Sequence, residues 1–313
     1  MVKRSYTFVI AILFVLIAGQ LCHAATLGGG ARAVGMGGAY TAVADDGAAA
    51  YWNPAGITQV KFGLMPTVGV QGKISEIQEV IFNQEFTDLD GYLRVNYGAG
   101  LTLRSFGLNV FGEFNGHVAQ ISGQPVLVLD HVMRSNLTLA KEFTGLLAVG
   151  VNAKYVSVKT DMIDALNEVA SLGKGSGFAV DLGAMAKVGK LVRVGAVLKD
   201  YPLTKIKLDN DQVYELPTRV AFGGAVKVPL LGTLVALDLE KPFKGEETDF
   251  LYRFGVEQPI FGFVFLRAGG YKEEENLNFT AGLGLKLGPV VVDTAAALNK
   301  ENPVYQAALG LKF

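Results

Sequence analysis

Apolar and polar residues alternate one by one through most of this chain, and the alternation is clearest in residues 304–313. One face of that segment carries Tyr305, Ala307, Leu309, Leu311 and Phe313. The opposite face carries Gln306, Ala308, Gly310 and Lys312. A strand that shows one face to lipid and the other to a wet interior must alternate in this way. A half-buried strand of a soluble sheet alternates too, so the conclusion depends on how often the pattern recurs.

The pattern recurs often enough to predict fourteen strands. They cover 62–73, 92–104, 106–116, 132–143, 146–158, 177–188, 191–201, 218–228, 232–241, 250–258, 262–271, 277–287, 289–299 and 304–313. Most have the roughly 9–11 residues that a tilted strand needs to cross a bilayer. A register slip of one residue would move Arg94 or Lys286 into hydrocarbon, at about 2–4 kcal/mol each. The register of the predicted strands is therefore well specified.

The lengths of the predicted connections alternate as well. Tight turns at Ser105, Gly145, 189–190, 229–231, 259–261 and Gly288 follow every second strand. The other connections are mostly longer and more polar, as in 74–91, 159–176, 202–217 and 242–249. Short periplasmic turns and longer external loops are typical of bacterial outer-membrane barrels, whereas a soluble β-sandwich has no reason to sort its loops by length. We expect an all-β protein, a 14-stranded antiparallel transmembrane β-barrel with both termini periplasmic.

Barrel closure pairs every backbone group that lies in lipid, because a closed sheet has no edge. Glycines within the inward-facing rows are expected to relieve crowding where the strands curve.

Residues 1–24 are predicted to be a secretory signal peptide. Lys3 and Arg4 precede an apolar stretch over 8–21, and Ala24 ends a cleavage site before Ala25. An uncleaved N-terminal membrane anchor is the less favoured alternative. Cleavage would remove Cys22, the single cysteine, so no disulfide is expected, nor any zinc site or cofactor. The formal net charge of −1, with both signs mixed, gives no reason to expect nucleic-acid binding.

Residues 25–61 do not alternate. The glycine-rich run 28–38 suggests phosphate binding, but no strand precedes it and no strand–helix–strand unit follows. A flexible periplasmic tail is the alternative to a folded segment. Tyr40, Tyr51, Trp52 and Ile57 favour folding, because disordered segments are poor in large apolar residues.

Part of this segment resembles the N-terminus of FadL-type outer-membrane proteins, and is most similar to the PorV/PorQ-like branch. The resemblance rests on 32–40, 44–46 and 52–56, which read RAVGMGGAY, ADD and WNPAG. It implies that Asn53, Pro54 and Ala55 belong to a hatch, residues 25–61, inside a barrel formed by 62–313. It also implies that Tyr305 and Phe313 belong to a C-terminal assembly signal.

The resemblance implies passive transport of hydrophobic small molecules. For the PorV-like branch it implies instead an outer-membrane component or shuttle of a protein-secretion system. The expected partners are outer-membrane lipid, the barrel-assembly machinery, and a hydrophobic small molecule or a secreted protein. The chain is short for a fatty-acid transporter of the FadL type, so its external loops are expected to be reduced.

The hatch is expected to be held by charge. Asp45 and Asp46 could cap a short helical turn or meet inward-facing arginines. The predicted inward rows carry Arg94, Arg104, Glu113, Arg134, Glu142, Lys154, Asp181, Arg193, Arg219, Asp238, Glu240, Arg253, Glu257, Arg267 and Asp293. Buried charges persist when they are paired, so most of these residues are predicted to form an interior network.

Two external segments are apolar enough to contact a ligand. In 161–172, Met162, Ile163, Leu166, Val169 and Leu172 have helical spacing, and Gly173 ends the pattern. The slightly favoured interpretation is that this stripe and the apolar residues of 74–86 fold over the barrel mouth and pack on each other. The functional interpretation is that the stripe captures a hydrophobic substrate or a partner protein. The chain carries no interpretable Ser/His/Asp set, so it is not expected to be an enzyme.

Overall fold

The computed structural model of the protein describes residues 29–73, 93–121, 124–163, 169–243, 250–273, 276–299 and 303–313. Within these residues, fourteen strands form one closed barrel in which all neighbours are antiparallel. The predicted 14-stranded antiparallel barrel is therefore confirmed. The predicted signal peptide and the apolar segment 74–86 lie outside the described residues.

Two short helices and one 3-10 helix precede the strands: α1 Ala31–Gly35, α2 Ala49–Trp52 and η1 Pro54–Gln59. None of the helices in the described ranges is long and apolar enough to cross a membrane. The first barrel strands are β1 Phe62–Gln71, β2 Leu93–Leu103, β3 Phe106–Ile121, β4 Gln124–Phe143, β5 Leu147–Ile163, β6 Val169–Val188 and β7 Val192–Pro202. The barrel continues with β10 Arg219–Lys227, β11 Leu234–Pro242, β12 Leu251–Ile260, β13 Val264–Glu273, β14 Asn276–Leu287, β15 Val290–Leu298 and β16 Val304–Lys312. A separate small hairpin consists of β8 Ile206–Lys207 and β9 Val213–Tyr214.

The barrel closes where the first strand meets the last. In the register of β1 and β16, Gly63 pairs with Lys312 and Gln71 pairs with Val304. At the end of this seam the Phe313 backbone N–H donates to the Phe62 carbonyl oxygen at 3.1 Å, and the two rings lie 5.6 Å apart. Backbone and aromatic contacts therefore both extend the seam to the carboxyl terminus.

The two faces of the wall follow the alternation of the sequence. In β14 the outward side chains of Leu277, Phe279 and Leu283 are exposed, whereas the inward Asn278 and Thr280 are buried. Exposed apolar side chains on the outer face suit contact with lipid, and polar side chains inside can bond to one another.

Four strands are longer than predicted. Strands β3, β4, β5 and β6 have 16, 20, 17 and 20 residues, so each extends beyond the predicted membrane span. Only 122–123 separate β3 from β4, and only 164–168 separate β5 from β6. The predicted long loop over 159–176 is therefore wrong, because most of it continues the sheet.

The predicted helix over 161–172 is also wrong for the residues that the structure describes. Met162 and Ile163 end β5, and Val169 and Leu172 lie in β6, which pairs with β5. Beyond the bilayer neither strand face needs to be polar. Apolar residues on both faces of a strand can therefore reproduce the spacing of a helical stripe.

Candidate functional site

Residues 29–61, which we call the N-terminal segment, supply the largest buried apolar side chains among the residues that the structure describes. Trp52, Tyr40, Met36 and Ile57 are at most 1% exposed. Helix α1 contacts β13 to β16, whereas η1 contacts β4 to β6 on another part of the wall. The segment therefore lies across the barrel interior.

Asn53, Pro54 and Ala55 join the segment to the wall at β6. The buried Asn53 amide nitrogen donates to the Thr41 carbonyl oxygen at 2.9 Å and to the Ala184 carbonyl oxygen at 3.1 Å. The Asn53 Oδ1 atom accepts from the Ala55 backbone N–H at 3.1 Å, and Pro54 begins η1. One asparagine thus caps a helix, bonds within the segment and bonds to a strand.

Inward-facing glycines allow the segment to approach the wall at backbone distance. A Cβ atom at Gly150 would lie 2.5 Å from the Ala55 nitrogen, and one at Gly195 would lie 2.6 Å from the Thr41 carbonyl oxygen. A Cβ at Gly269 would lie 2.6 Å from the Gly37 nitrogen. The expected role of these glycines, relief of strand curvature, therefore needs correction. They are where segment and wall come too close for any side chain.

Arg32 connects the segment to a different part of the wall, at β12. Its guanidinium binds both carboxylate oxygens of Glu257 on β12, at 2.7 and 2.8 Å, and its Nη1 lies 2.5 Å from Asp45. Glu257 also accepts from Arg267, which in turn binds Asp293 at 2.7 Å. These bidentate and shared contacts satisfy charges that are almost fully buried.

Asp45 and Asp46 both lie near Arg32, at 2.5 and 3.7 Å, but their other partners differ. Asp45 contacts two wall cations, Arg193 at 3.4 Å and Lys312 at 3.6 Å, besides Arg32. Burial by itself raises the pKa of the Asp45 carboxyl, but these positive charges outweigh it and hold the pKa well below its usual range. Asp46 instead accepts from the Ala48 backbone N–H at 3.0 Å, just before α2.

A third wall carboxylate, that of Asp238 on β11, binds backbone N–H groups of the segment. Its Oδ2 atom accepts from the Tyr40 and Thr41 N–H groups at 2.9 and 2.8 Å. The sequence places Asp238 in the inward row, but the partner atoms are backbone groups that no side-chain pattern reveals.

A further polar group joins β5, β6 and β7 on their inward faces. Lys154 binds Asp181 at 2.8 Å and Asp200 at 2.7 Å. Asn152 bonds to Asp181 and to the Ala50 carbonyl oxygen of the segment, at 2.7 and 2.8 Å. This group therefore joins three strands to α2.

Comparison with solved structures finds the same fold in several proteins described as channels or transporters. CymD, described as a monoaromatic hydrocarbon channel, is 15% identical with a TM-score of 0.69, and the match covers 93% of this chain and 99% of that one. The Ralstonia pickettii toluene transporter TbuX is 14% identical with a TM-score of 0.68, covering 92% and 99%. A Pseudomonas aeruginosa FadL homologue is 10% identical with a TM-score of 0.59, covering 91% and 98%.

The chain shares the fold of these channels. This confirms the barrel that the resemblance to FadL-type proteins implied. No protein-family model matches the chain, and no curated protein matches it in sequence.

Within this channel fold, β8 and β9 cover part of the inner wall. Leu208 forms a bridge with Gly175 of β6, and a Cβ atom at Gly177 would lie 2.7 Å from the Ile206 side chain. The hairpin completes a buried apolar cluster with the wall strands: Val132, Val156, Val158, Ala179, Ile206, Leu208 and Leu216.

The four described residues of the predicted capture stripe do not share one face. Met162 lies on the same face of β5 as the buried Val156 and Val158. Ile163 has the opposite orientation and pairs with Val169 of β6. Leu172 lies at an irregularity where the β5–β6 register shifts, and Leu166 lies outside the described residues.

Sequence reasoning missed Lys199. Alternation from the inward Arg193 along β7 places Lys199 on the same face, so the signal was present. The structure brings this amine beside Tyr51 and Trp52 of the N-terminal segment.

Proposed function

We propose that the protein is a bacterial outer-membrane channel that passes hydrophobic small molecules inward by diffusion. The observation that carries the proposal is a closed barrel whose interior is crossed by the closely packed N-terminal segment. The shared fold with CymD and TbuX, whose names describe a hydrocarbon channel and a toluene transporter, supports it. No chemical step is part of this function, so the proposed role is not enzymatic.

In this proposal residues 25–61 act as a hatch, residues 62–313 form the barrel and residues 1–24 are removed on export. The contacts of Asn53 with β6 and of Arg32 with β12 support the hatch, because they fix the segment on two sides of the lumen. A barrel filled in this way excludes a permanent water-filled pore. Passage therefore requires rearrangement of the hatch or a gap in the wall.

The hydrophobic molecule enters at the end of the barrel that carries the longer connections. The apolar cluster around Val156 and Ile206 is buried at this end, and the half-buried Met162 extends the same face of β5 as a surface on which such a molecule can leave water. Each Å² of apolar surface removed from water contributes about 25 cal/mol. Met162, on the same face as this cluster, is the part of the predicted capture stripe that fits this role best.

The tight turns and both termini face the periplasm in this proposal. The pairing of Phe313 with Phe62 leaves the terminal strand in the seam that closes the barrel. Outer-membrane lipid and the barrel-assembly machinery are then the partners that every such barrel needs.

Two measurements on the same protein test this function. Cells that make the protein should take up radiolabelled toluene faster than cells that lack it. The purified protein in planar bilayers should show no steady ion conductance, because the N-terminal segment closes the lumen. Equal toluene uptake in both strains would contradict the proposal, and a stable large conductance would contradict the hatch.

A second candidate is a PorV-like role in protein secretion. The observation that favours it is the outer face of the β5–β6 extension, where Val169 and Leu172 are 63% and 40% exposed. Apolar side chains beyond the lipid can receive a partner protein. A crosslinker placed at position 169 in cells should then capture one secreted protein. That result, together with normal toluene uptake by a Val169→Asp variant, would support this role.

A further inference from the structure

Two positive charges face each other across β7 and β10. Lys199 pairs directly with Arg219 in the register of these strands. Like charges directly opposite one another destabilise a sheet. Glu240 compensates Arg219 at 3.3 Å, so Lys199 is the member of this pair whose charge has no ion pair among the described residues, and such a departure from a local rule points to a functional site.

The carboxylates around Lys199 bind other cations. One carboxylate oxygen of Glu240 pairs with Arg219 at 3.3 Å, and the other pairs with Arg253 at 2.7 Å. Asp181 and Asp200 both bind Lys154. Among the residues that the structure describes, Lys199 forms no hydrogen bond or ion pair.

The contacts that Lys199 does make are with aromatic rings. Its Nζ atom lies 4.8 Å from the centre of the Trp52 ring and 5.7 Å from that of Tyr51. Tyr51 packs edge-on against Phe111 at 4.9 Å and is only half-buried. The amine and the ring thus border the lumen together, at the outer side of the N-terminal segment in the proposed orientation.

We propose that Lys199 and Tyr51 form a binding site for an aromatic carboxylate, with Arg219 supplying a second positive charge opposite Lys199. The carboxylate of the ligand accepts hydrogen bonds from the Lys199 ammonium group, and its ring packs against Tyr51. The site rests on the proposed function, since it names a substrate class for the same lumen.

The chemistry of the site favours an aromatic carboxylate over other molecules of similar size. An uncharged aromatic hydrocarbon leaves the three Lys199 donors without an acceptor. A long aliphatic carboxylate satisfies Lys199 but gains no ring-to-ring contact, which contributes about 0.5–1.5 kcal/mol beyond area burial. An aromatic cation meets two like charges.

Trp52 is the only tryptophan of the chain, so its fluorescence reports on this site. The full mature protein in detergent is titrated with benzoate, toluene and octanoate, and calorimetry gives a second measure of each affinity. Benzoate should bind saturably, and more tightly than toluene or octanoate. Lys199→Met should weaken benzoate at least about tenfold, equivalent to 1.4 kcal/mol, whereas Lys199→Arg should retain most of the affinity.

Lys159→Met is the matched control, because Lys159 is half exposed and pairs with Asp161, away from Tyr51. It should bind benzoate like the unmodified protein. Absence of benzoate binding, unchanged binding in Lys199→Met, or binding of toluene or octanoate as tight as that of benzoate would each overturn the site. Toluene uptake by cells is measured separately, so the carboxylate site can fail while the proposed function stands.

Discussion

Arg32 and Glu257 are joined by two parallel hydrogen bonds, although 225 residues separate them in the chain. The pair connects the N-terminal segment to β12, four strands away around the barrel from the Asn53 contact at β6. Because Glu257 also binds Arg267, its carboxylate compensates two buried guanidinium groups. The attachment of the segment therefore depends strongly on one wall side chain.

Glu257→Ala should release the N-terminal segment from the wall. Removal of one partner from a buried ion pair costs about 3–5 kcal/mol, since the remaining charges stay uncompensated. Limited proteolysis should cut within 29–61 much faster than in the unmodified protein, while the barrel keeps its heat-modifiable migration on gels.

Glu142→Ala is the control for this variant, because the Glu142–Lys187 pair is far more exposed. An exposed pair contributes about 0–1 kcal/mol, so protection of the segment should not change. Equal protease resistance of both variants would contradict an anchoring role for Glu257.

Gly150→Ala should displace the segment for a steric reason. The added methyl group would collide with the Pro54–Ala55 backbone, which has no side-chain freedom to move away. Gly224→Ala is the matched control, since nothing lies within 4 Å of the position that its Cβ would take. Protease cleavage of 29–61 should rise only in the first variant, and identical behaviour of the two would refute the close packing.

Protection of the N-terminal segment should not change between pH 8 and pH 5. Arg32, Lys312 and Arg193 hold the pKa of Asp45 below its unfolded value, which is about 3.9. A lowered folded-state pKa contributes stability that is fully present above the unfolded pKa and is lost as the pH falls through the folded pKa. Protease resistance measured with acid-tolerant enzymes should thus decline only below about pH 4. A loss between pH 7 and pH 5 would show that another group controls the segment.

Deletion of Phe313 should slow membrane insertion. It removes both the ring contact with Phe62 and the last backbone hydrogen bond of the closing seam. The fraction of heat-modifiable barrel in cells measures this effect. Phe263→Ala, which removes an exposed ring in a turn of the same barrel, serves as control and should insert normally. If the deletion leaves insertion unchanged, Phe313 is not part of the assembly signal.

The wall strands could be predicted because lipid imposes a strict alternation on every one of them. In β14 that constraint separates Leu277 from Asn278 so clearly that the register follows from sequence alone. Beyond the bilayer the constraint ends, so the extensions of β5 and β6 were mistaken for a loop and a helix. The contacts of Arg32 and Lys199 depend on which distant strands the segment crosses, and no local pattern encodes that.

The two faces of the β5 extension separate capture of a small molecule from docking of a protein. Met162 shares the inward face with Val156, whereas Ile163 points outward beside Val169. Met162→Asp should impair toluene uptake, because a charge there opposes the transfer of an apolar molecule from water to the lumen wall. Ile163→Asp should leave uptake unchanged and is the matched control. Both variants should still form barrels, since neither side chain faces lipid.

If Ile163→Asp alone impairs uptake, capture occurs on the outer face. If neither variant changes uptake but Ile163→Asp loses a bound protein, the secretion role gains support over the channel.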